Sequence, residues 1–206
     1  MDFVIGIWEA RAWKSGENDW RPKQKGCVAG IDACDLTDYT YRSLTKLFRE
    51  FPYITGVQIR VNEESGIPKD RQTEFYRSTY FRAIGESDRP IILDYRGWGA
   101  NSETTEDAIR MCPGMRLSVK YWAEFMGAPY QPAKIDPGYS CSDYLKQPLR
   151  YSFLWQVWSL GNLRLLLWGD TEYVRRFARS LSLGGGAGFE ISAQLTQKGY
   201  GNAPGS

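Results

Sequence analysis

The chain contains no histidine. This absence excludes a histidine general base, the Ser-His-Asp and Cys-His nucleophile systems, and histidine metal ligands. Proton transfer would therefore fall to Glu, Asp, Lys or Tyr side chains. Four cysteines are present without a Cys-x-x-Cys spacing, so we expect no metal site and no cofactor. Free thiols and a Cys27–Cys34 disulfide both stay open.

The chain also lacks long apolar runs and a strong excess of one charge. A net charge of +2 gives no reason to expect nucleic acid or a membrane surface as a partner. No apolar run approaches the roughly 20 residues that cross a bilayer. Residues 1–5 have neither a basic nor a long apolar region, so we expect no signal peptide. Compartment and oligomeric state stay open.

Short apolar runs alternate with longer segments of helical periodicity. The predicted strands lie near 3–9, 55–62, 90–95, 116–122, 163–168 and 187–191. The predicted helices lie near 37–50, 70–86, 102–112, 142–160 and 171–182. Segments 11–33 and 125–140 are rich in Gly, Pro and polar residues, and we expect loops there.

Alternation of strands with helices predicts an α/β fold with a parallel sheet. A Gly-x-Gly-x-x-Gly motif after the first strand, typical of dinucleotide-binding sheets, is absent. Polar residues cluster at the carboxyl ends of several strands, which favours a (β/α)8 TIM-type barrel over an open doubly wound sheet.

About six strands are seen, whereas a complete barrel has eight strands in about 250 residues. We therefore expect residues 1–206 to form a single, incomplete barrel domain with a catalytic role. The expected explanation is a partial chain that lacks two βα units before residue 1. A native six-stranded open sheet is the alternative.

Side-chain alternation sorts each predicted strand into two faces. Apolar residues such as Val57 and Ile59 face the helices, and polar residues face the barrel axis. The candidate catalytic residues are the acids Glu64, Asp94 and Glu124 on the axial side, together with Glu63, the neighbour of Glu64. The candidate substrate-binding residues are Arg60, Asn62, Arg96, Lys120, Trp122, Trp168, Asp170 and Glu190.

Carboxylates on separate strands beside tryptophans predict glycoside chemistry. Glycoside hydrolysis uses two carboxyl groups, one to protonate the leaving oxygen and one to activate water or attack the sugar. Glu64, or its neighbour Glu63, is the candidate general acid, and Glu124 is the candidate base. Arginine and lysine side chains suit sugar carboxylates and hydroxyls, and aromatic rings suit sugar C–H faces. The expected partner is a poly- or oligosaccharide.

The segment Ile59-Arg60-Val61-Asn62-Glu63-Glu64-Ser65-Gly66-Ile67-Pro68 resembles the strand-end motif that carries the acid in α-glucuronidase-type glycoside hydrolases. Val119-Lys120-Tyr121-Trp122-Ala123-Glu124-Phe125 is similar to a later strand of that family, and residues 92–98 match an Arg-containing strand between the two. The resemblance implies a (β/α)8 barrel that degrades plant-type polysaccharides by inversion, without a metal. It also implies a third carboxylate near residues 151–158. The Asn62-Glu63 pair also resembles the acid/base motif of the large retaining barrel clan.

Two other functions stay open. Lys120 faces the axis in aromatic surroundings, which would suit a Schiff-base lyase or aldolase. Residues 151–158 contain no acid, which favours a non-catalytic carbohydrate-binding barrel.

Overall fold

The computed structural model describes residues 1–7, 11–13, 27–61, 65–97, 100–120, 150–157, 171–179, 182 and 185–191. The chain divides into two compact units, Met1–Arg116 and Leu117–Ser206. The expectation of a single domain stays a prediction. Among the helices that the structure describes, none combines the length and apolar composition needed to span a bilayer.

The first unit contains a parallel sheet in which β1, β4 and β5 lie side by side in chain order. Its strands are β1 (Val4–Ile7), β2 (Arg11–Trp13), β3 (Cys27–Ala29), β4 (Gly56–Arg60) and β5 (Ile92–Arg96). Strands β2 and β3 form a separate parallel pair. The predicted strands at 3–9, 55–62 and 90–95 are therefore confirmed, with slightly different ends.

Helices follow the strands of this unit, as the periodicity predicts. They are α1 (Leu36–Glu50), α2 (Gln72–Tyr76), a π-helical turn (Arg77–Phe81), α3 (Arg82–Gly85) and α4 (Ser102–Met111). The segment from α2 to α3 is continuous, so the helix predicted near 70–86 is confirmed. The Asn101 side chain caps α4 by accepting a hydrogen bond from the Thr104 amide.

The core of the first unit lies between the sheet and these helices. Val57, Ile59 and Leu93 are fully buried on one face of β4 and β5. Because side chains alternate along a strand, Gln58, Arg60, Asp94 and Arg96 project from the opposite face. The predicted division into an apolar helix side and a polar side holds for these two strands.

The second unit contains β6, β7 and β8, again neighbours in chain order, with β7 and β8 parallel. β6 runs from Arg116 to Lys120, so its first residue belongs to the first unit; β7 is Ser152–Val157, β8 is Gly188–Ile191 and α5 is Thr171–Arg179. The elements predicted near 116–122, 171–182 and 187–191 are confirmed. The strand predicted at 163–168 lies outside the described residues.

Two predictions of local structure are wrong. A helix was expected over 142–160, but β7 lies within that range. Phe153 and Trp155 are buried on one side of β7 and their rings meet edge to face at 5.0 Å, which shows strand alternation rather than helical periodicity. The expected loop 11–33 contains β2 and β3, whose three-residue lengths give too little pattern to detect.

Candidate functional site

A hydrogen-bonded amide–carboxylate pair lies on the polar face of the first unit. The register of β4 and β5 places Gln58 opposite Asp94. The Gln58 Nε2 donates to Asp94 Oδ2 at 3.2 Å. Asp94 is 6% exposed, so the surrounding protein shields this carboxylate from most solvent. On β1 the residue opposite Gln58 is Gly6, which adds no side chain next to the amide.

Two arginines lie two residues further along the same strands, at their carboxyl ends. Arg60 is the last residue of β4 and Arg96 the last residue of β5, and the register pairs them. Arg96 is 2% exposed and Arg60 is half-buried. Two guanidinium groups with one carboxylate on the same face give an arrangement that can orient an anionic or hydroxyl-rich ligand.

Buried polar side chains form hydrogen bonds with the chain at the end of β4, and the sequence analysis did not single them out. The Tyr76 hydroxyl donates to the Arg60 carbonyl oxygen at 2.5 Å. It also accepts a hydrogen bond from the fully buried Ser65 hydroxyl. Tyr76 falls at an apolar position of a helical pattern, so the sequence indicates a core residue only.

A second polar cluster lies on β6, β7 and β8 of the second unit. Glu190 Oε2 accepts hydrogen bonds from Gln156 Nε2 at 3.2 Å and from Ser118 Oγ at 3.3 Å. Ser118 and Gln156 are almost fully buried, whereas Glu190 is half-buried. The cluster can therefore present a carboxylate to solvent from an otherwise enclosed polar group. The helix predicted over 142–160 gave no indication that Gln156 lies on this polar face.

The structure places four of the predicted site residues. Arg60, Asp94 and Arg96 share one face of the first unit, and Glu190 lies on the polar face of the second. Lys120 ends β6, and its side chain lies outside the described part of the chain. The remaining candidates also lie outside the described residues, and their roles stay predictions: Asn62, Glu63, Glu64, Trp122, Glu124, Trp168 and Asp170.

Among the described residues, one group has the spacing of metal ligands. Ligand atoms of Asp32, Cys34 and Asp35 lie within 4.8 Å of one another just before α1. Carboxylates at a helix N-terminus are also explained by the helix dipole, and we assign no metal there. Cys34 and Cys112 are free thiols, and burial raises the pKa of the Cys112 thiol to about 12.

Comparison with known proteins shows a similarity that concerns the fold. The sequence matches no protein-family profile and no curated protein. Among solved structures, the chain is similar to a GH138 enzyme targeting pectin rhamnogalacturonan II, with a TM-score of 0.60 and 16% sequence identity. The similarity covers 80% of this chain but only 19% of that enzyme.

The chain therefore has an α/β fold like that of part of a glycoside hydrolase. At this level of identity the likeness concerns the fold alone, because one fold hosts many functions. Closure into a TIM barrel and membership of the α-glucuronidase type stay predictions.

Proposed function

We propose that this chain is part of a glycoside hydrolase that acts on a poly- or oligosaccharide by carboxylate acid–base chemistry. The observation that carries the proposal is the polar face of β4 and β5. There Asp94, Arg60 and Arg96 project from one face of two parallel strands, with both arginines at the carboxyl ends. The fold similarity to a glycoside hydrolase supports the same reaction class.

In this proposal the acid and the base come from the strand-end segments. Glu64, or Glu63, protonates the leaving oxygen, and Glu124 activates the attacking water. Asp94 holds the Gln58 amide through its hydrogen bond and stays a further candidate for the catalytic carboxylates on the same face. Arg60, Arg96 and Lys120 orient the substrate, and Trp122 and Trp168 stack on sugar rings.

The paired arginines favour a saccharide that carries a carboxylate. A guanidinium binds a carboxylate through two parallel hydrogen bonds, and partial burial strengthens that interaction. The similar solved structure targets a pectin component, which supports acidic plant polysaccharides as the first substrates to assay.

The decisive experiment measures turnover of acidic oligosaccharides, including pectic and glucuronoxylan fragments. Glu124→Gln is expected to lower kcat by about a hundredfold or more, because it removes a proton acceptor. Glu50→Gln is the control, since Glu50 is an exposed carboxylate at the end of α1. Unchanged turnover in the Glu124 variant would remove that residue from the mechanism.

A non-catalytic carbohydrate-binding protein is the second candidate. The resemblance to α-glucuronidase-type enzymes implies a third carboxylate near residues 151–158, but the polar position of β7 there is Gln156. An amide can bind a sugar hydroxyl but cannot act as a general base at neutral pH. Saccharide binding by calorimetry without turnover in any assay would favour this candidate.

A further inference from the structure

One side of helix α2 holds the chain where it leaves β4. Gln72 and Tyr76 are four residues apart, so they lie on the same helix face. Both side chains are buried, at 4% and 2% exposure, and both form hydrogen bonds to the segment that follows β4.

The Tyr76 hydroxyl forms hydrogen bonds with Arg60 and with Ser65. Its hydroxyl donates to the carbonyl of Arg60, the last residue of β4. The same hydroxyl is hydrogen-bonded to Ser65, which has no exposed surface. Desolvation by burial raises the pKa of Tyr76 to about 12, with smaller opposing effects from Ser65 and Arg60. The phenol is therefore protonated, and able to donate, at any ordinary assay pH.

The residues after Ser65 are fixed by separate contacts. The Gln72 Nε2 donates to the Ile67 carbonyl at 3.1 Å, and the Ile67 amide donates to Ser65 Oγ at 3.3 Å. Gly66 lies between them with a φ of 83°, a conformation that glycine adopts without strain. Residues 65–67 therefore form a defined turn tied to α2.

The direction of the Tyr76 hydroxyl is set by aromatic packing. Its ring lies 5.5 Å from Phe75, edge to face, and 6.2 Å from Phe81, stacked. The π-helical turn Arg77–Phe81 starts at the next residue, and it carries Tyr80 and Phe81 into the same cluster. Such turns often occur beside functional sites because they change the direction of side chains.

We propose that Tyr76 is a positioning residue that, together with Gln72, fixes the backbone of Arg60 relative to the turn of residues 65–67. Arg60 is the substrate-orienting arginine of the proposed site. The catalytic consequence rests on the proposed function, whereas the structural role does not. Any buried tyrosine hydroxyl needs a hydrogen-bond partner, and what favours a positioning role here is that this partner is the backbone at the end of β4.

The first test follows backbone amide hydrogen exchange in the Tyr76→Phe variant. Removal of the hydroxyl is expected to accelerate exchange about tenfold at Val61 and at residues 65–67, and not across the whole unit. Tyr80→Phe is the matched control, because Tyr80 is equally buried in the same aromatic cluster. Unchanged local exchange, or a uniform acceleration in both variants, would overturn the proposal.

The second test separates positioning from general stability in the active protein. Tyr76→Phe is expected to raise KM and lower kcat/KM by about tenfold relative to Tyr80→Phe, with equal denaturation midpoints in the two variants. A parallel loss in both variants would reduce Tyr76 to a packing residue. If neither the wild type nor any variant hydrolyses a saccharide, the proposed function fails, and the exchange result still decides the role of Tyr76.

Discussion

The two units of the chain contain the same amide–carboxylate pair in different surroundings. In the first unit Gln58 donates to Asp94, and in the second Gln156 donates to Glu190, each at 3.2 Å between register partners on neighbouring strands. Asp94 is almost fully buried, whereas Glu190 is half-buried. Identical local chemistry therefore gives an enclosed carboxylate in one unit and a solvent-reachable one in the other.

Strand register alone therefore does not determine how accessible a carboxylate is to solvent. A buried carboxylate that is removed leaves its donors without solvent to replace it, so its loss costs stability. A partly exposed carboxylate can exchange contacts with water or a ligand at low cost. Asp94 is therefore expected to contribute more to the stability of its unit than Glu190 does in its own.

The largest expected effect comes from the glycines that open β4 and β8. A Cβ added at Gly56 would lie 2.8 Å from the Ile92 carbonyl oxygen and 2.9 Å from its Cβ. Among the described residues, a Cβ at Gly188 would meet the tip of Leu154, at 3.3 Å, and that side chain can rotate. We expect Gly56→Ala to lower the free energy of unfolding by about 3 kcal/mol and Gly188→Ala by less than about 1 kcal/mol.

Urea denaturation of the two glycine variants checks this prediction, with the slope of the transition compared to that of the wild type. Equal losses of stability would show that the close contact between β4 and β5 can relax. This contact would then not distinguish the two units.

A smaller difference is expected between the two carboxylates themselves. Asp94→Ala removes an almost fully buried acceptor of the Gln58 amide and is expected to cost about 2 to 3 kcal/mol. Glu190→Ala is expected to cost about 1 kcal/mol, because solvent already reaches this half-buried carboxylate and can enter the space that it leaves beside Gln156 and Ser118. Double-mutant cycles with Gln58→Ala and Gln156→Ala isolate each pair. A larger coupling energy for Gln156 and Glu190 than for the pair in the first unit would contradict this expectation.

The sequence predicts β1, β4, β5 and the helices of the first unit well, because their signals are strong. Val57 and Ile59 alternate with polar residues, and Leu44 and Phe48 recur at helical spacing on α1, so each pattern indicates one face. The same alternation correctly separates Asp94 and Arg96 from the core side of β5. These predictions depend only on local periodicity.

The remaining features depend on contacts between distant residues. Strand β7 was missed because its short apolar run lies inside a longer range with helical spacing, and neighbouring strands decide its conformation. Tyr76 was missed because a buried tyrosine has the same sequence pattern whether or not its hydroxyl binds Arg60. Pairing between Gln156 and Glu190, which are 34 positions apart, follows from register alone.

Each unit has a helix carboxylate that pairs with two arginines, and the smallest expected effect belongs to the exposed one, Glu172. Asp107, with 8% of its side chain exposed, pairs with Arg77 and Arg110, whereas Glu172, 47% exposed, pairs with Arg175 and Arg176. Hydrogen bonds from Arg175 and then Arg176 lower the pKa of Glu172 from 4.5 to about 2. A lowered pKa in the folded state means that this ion pair contributes stability above about pH 4.5, and that the contribution is lost as the pH falls toward 2.

Because Glu172 is exposed, solvent screens its ion pairs, and we expect Glu172→Gln to remove only a small part of the acid sensitivity between pH 4.5 and 2. In 1 M salt that part should disappear from the wild type as well, since the Debye length is then about 3 Å. Asp107→Asn is expected to cost about 2 kcal/mol at pH 7 and to change little with salt, because its carboxylate is enclosed. Thermal unfolding of the wild type and both variants, at pH 7 and between pH 4.5 and 2, in low salt and in 1 M salt, measures these effects. A larger, salt-resistant loss in the Glu172 variant would mean that exposure does not set the strength of these ion pairs.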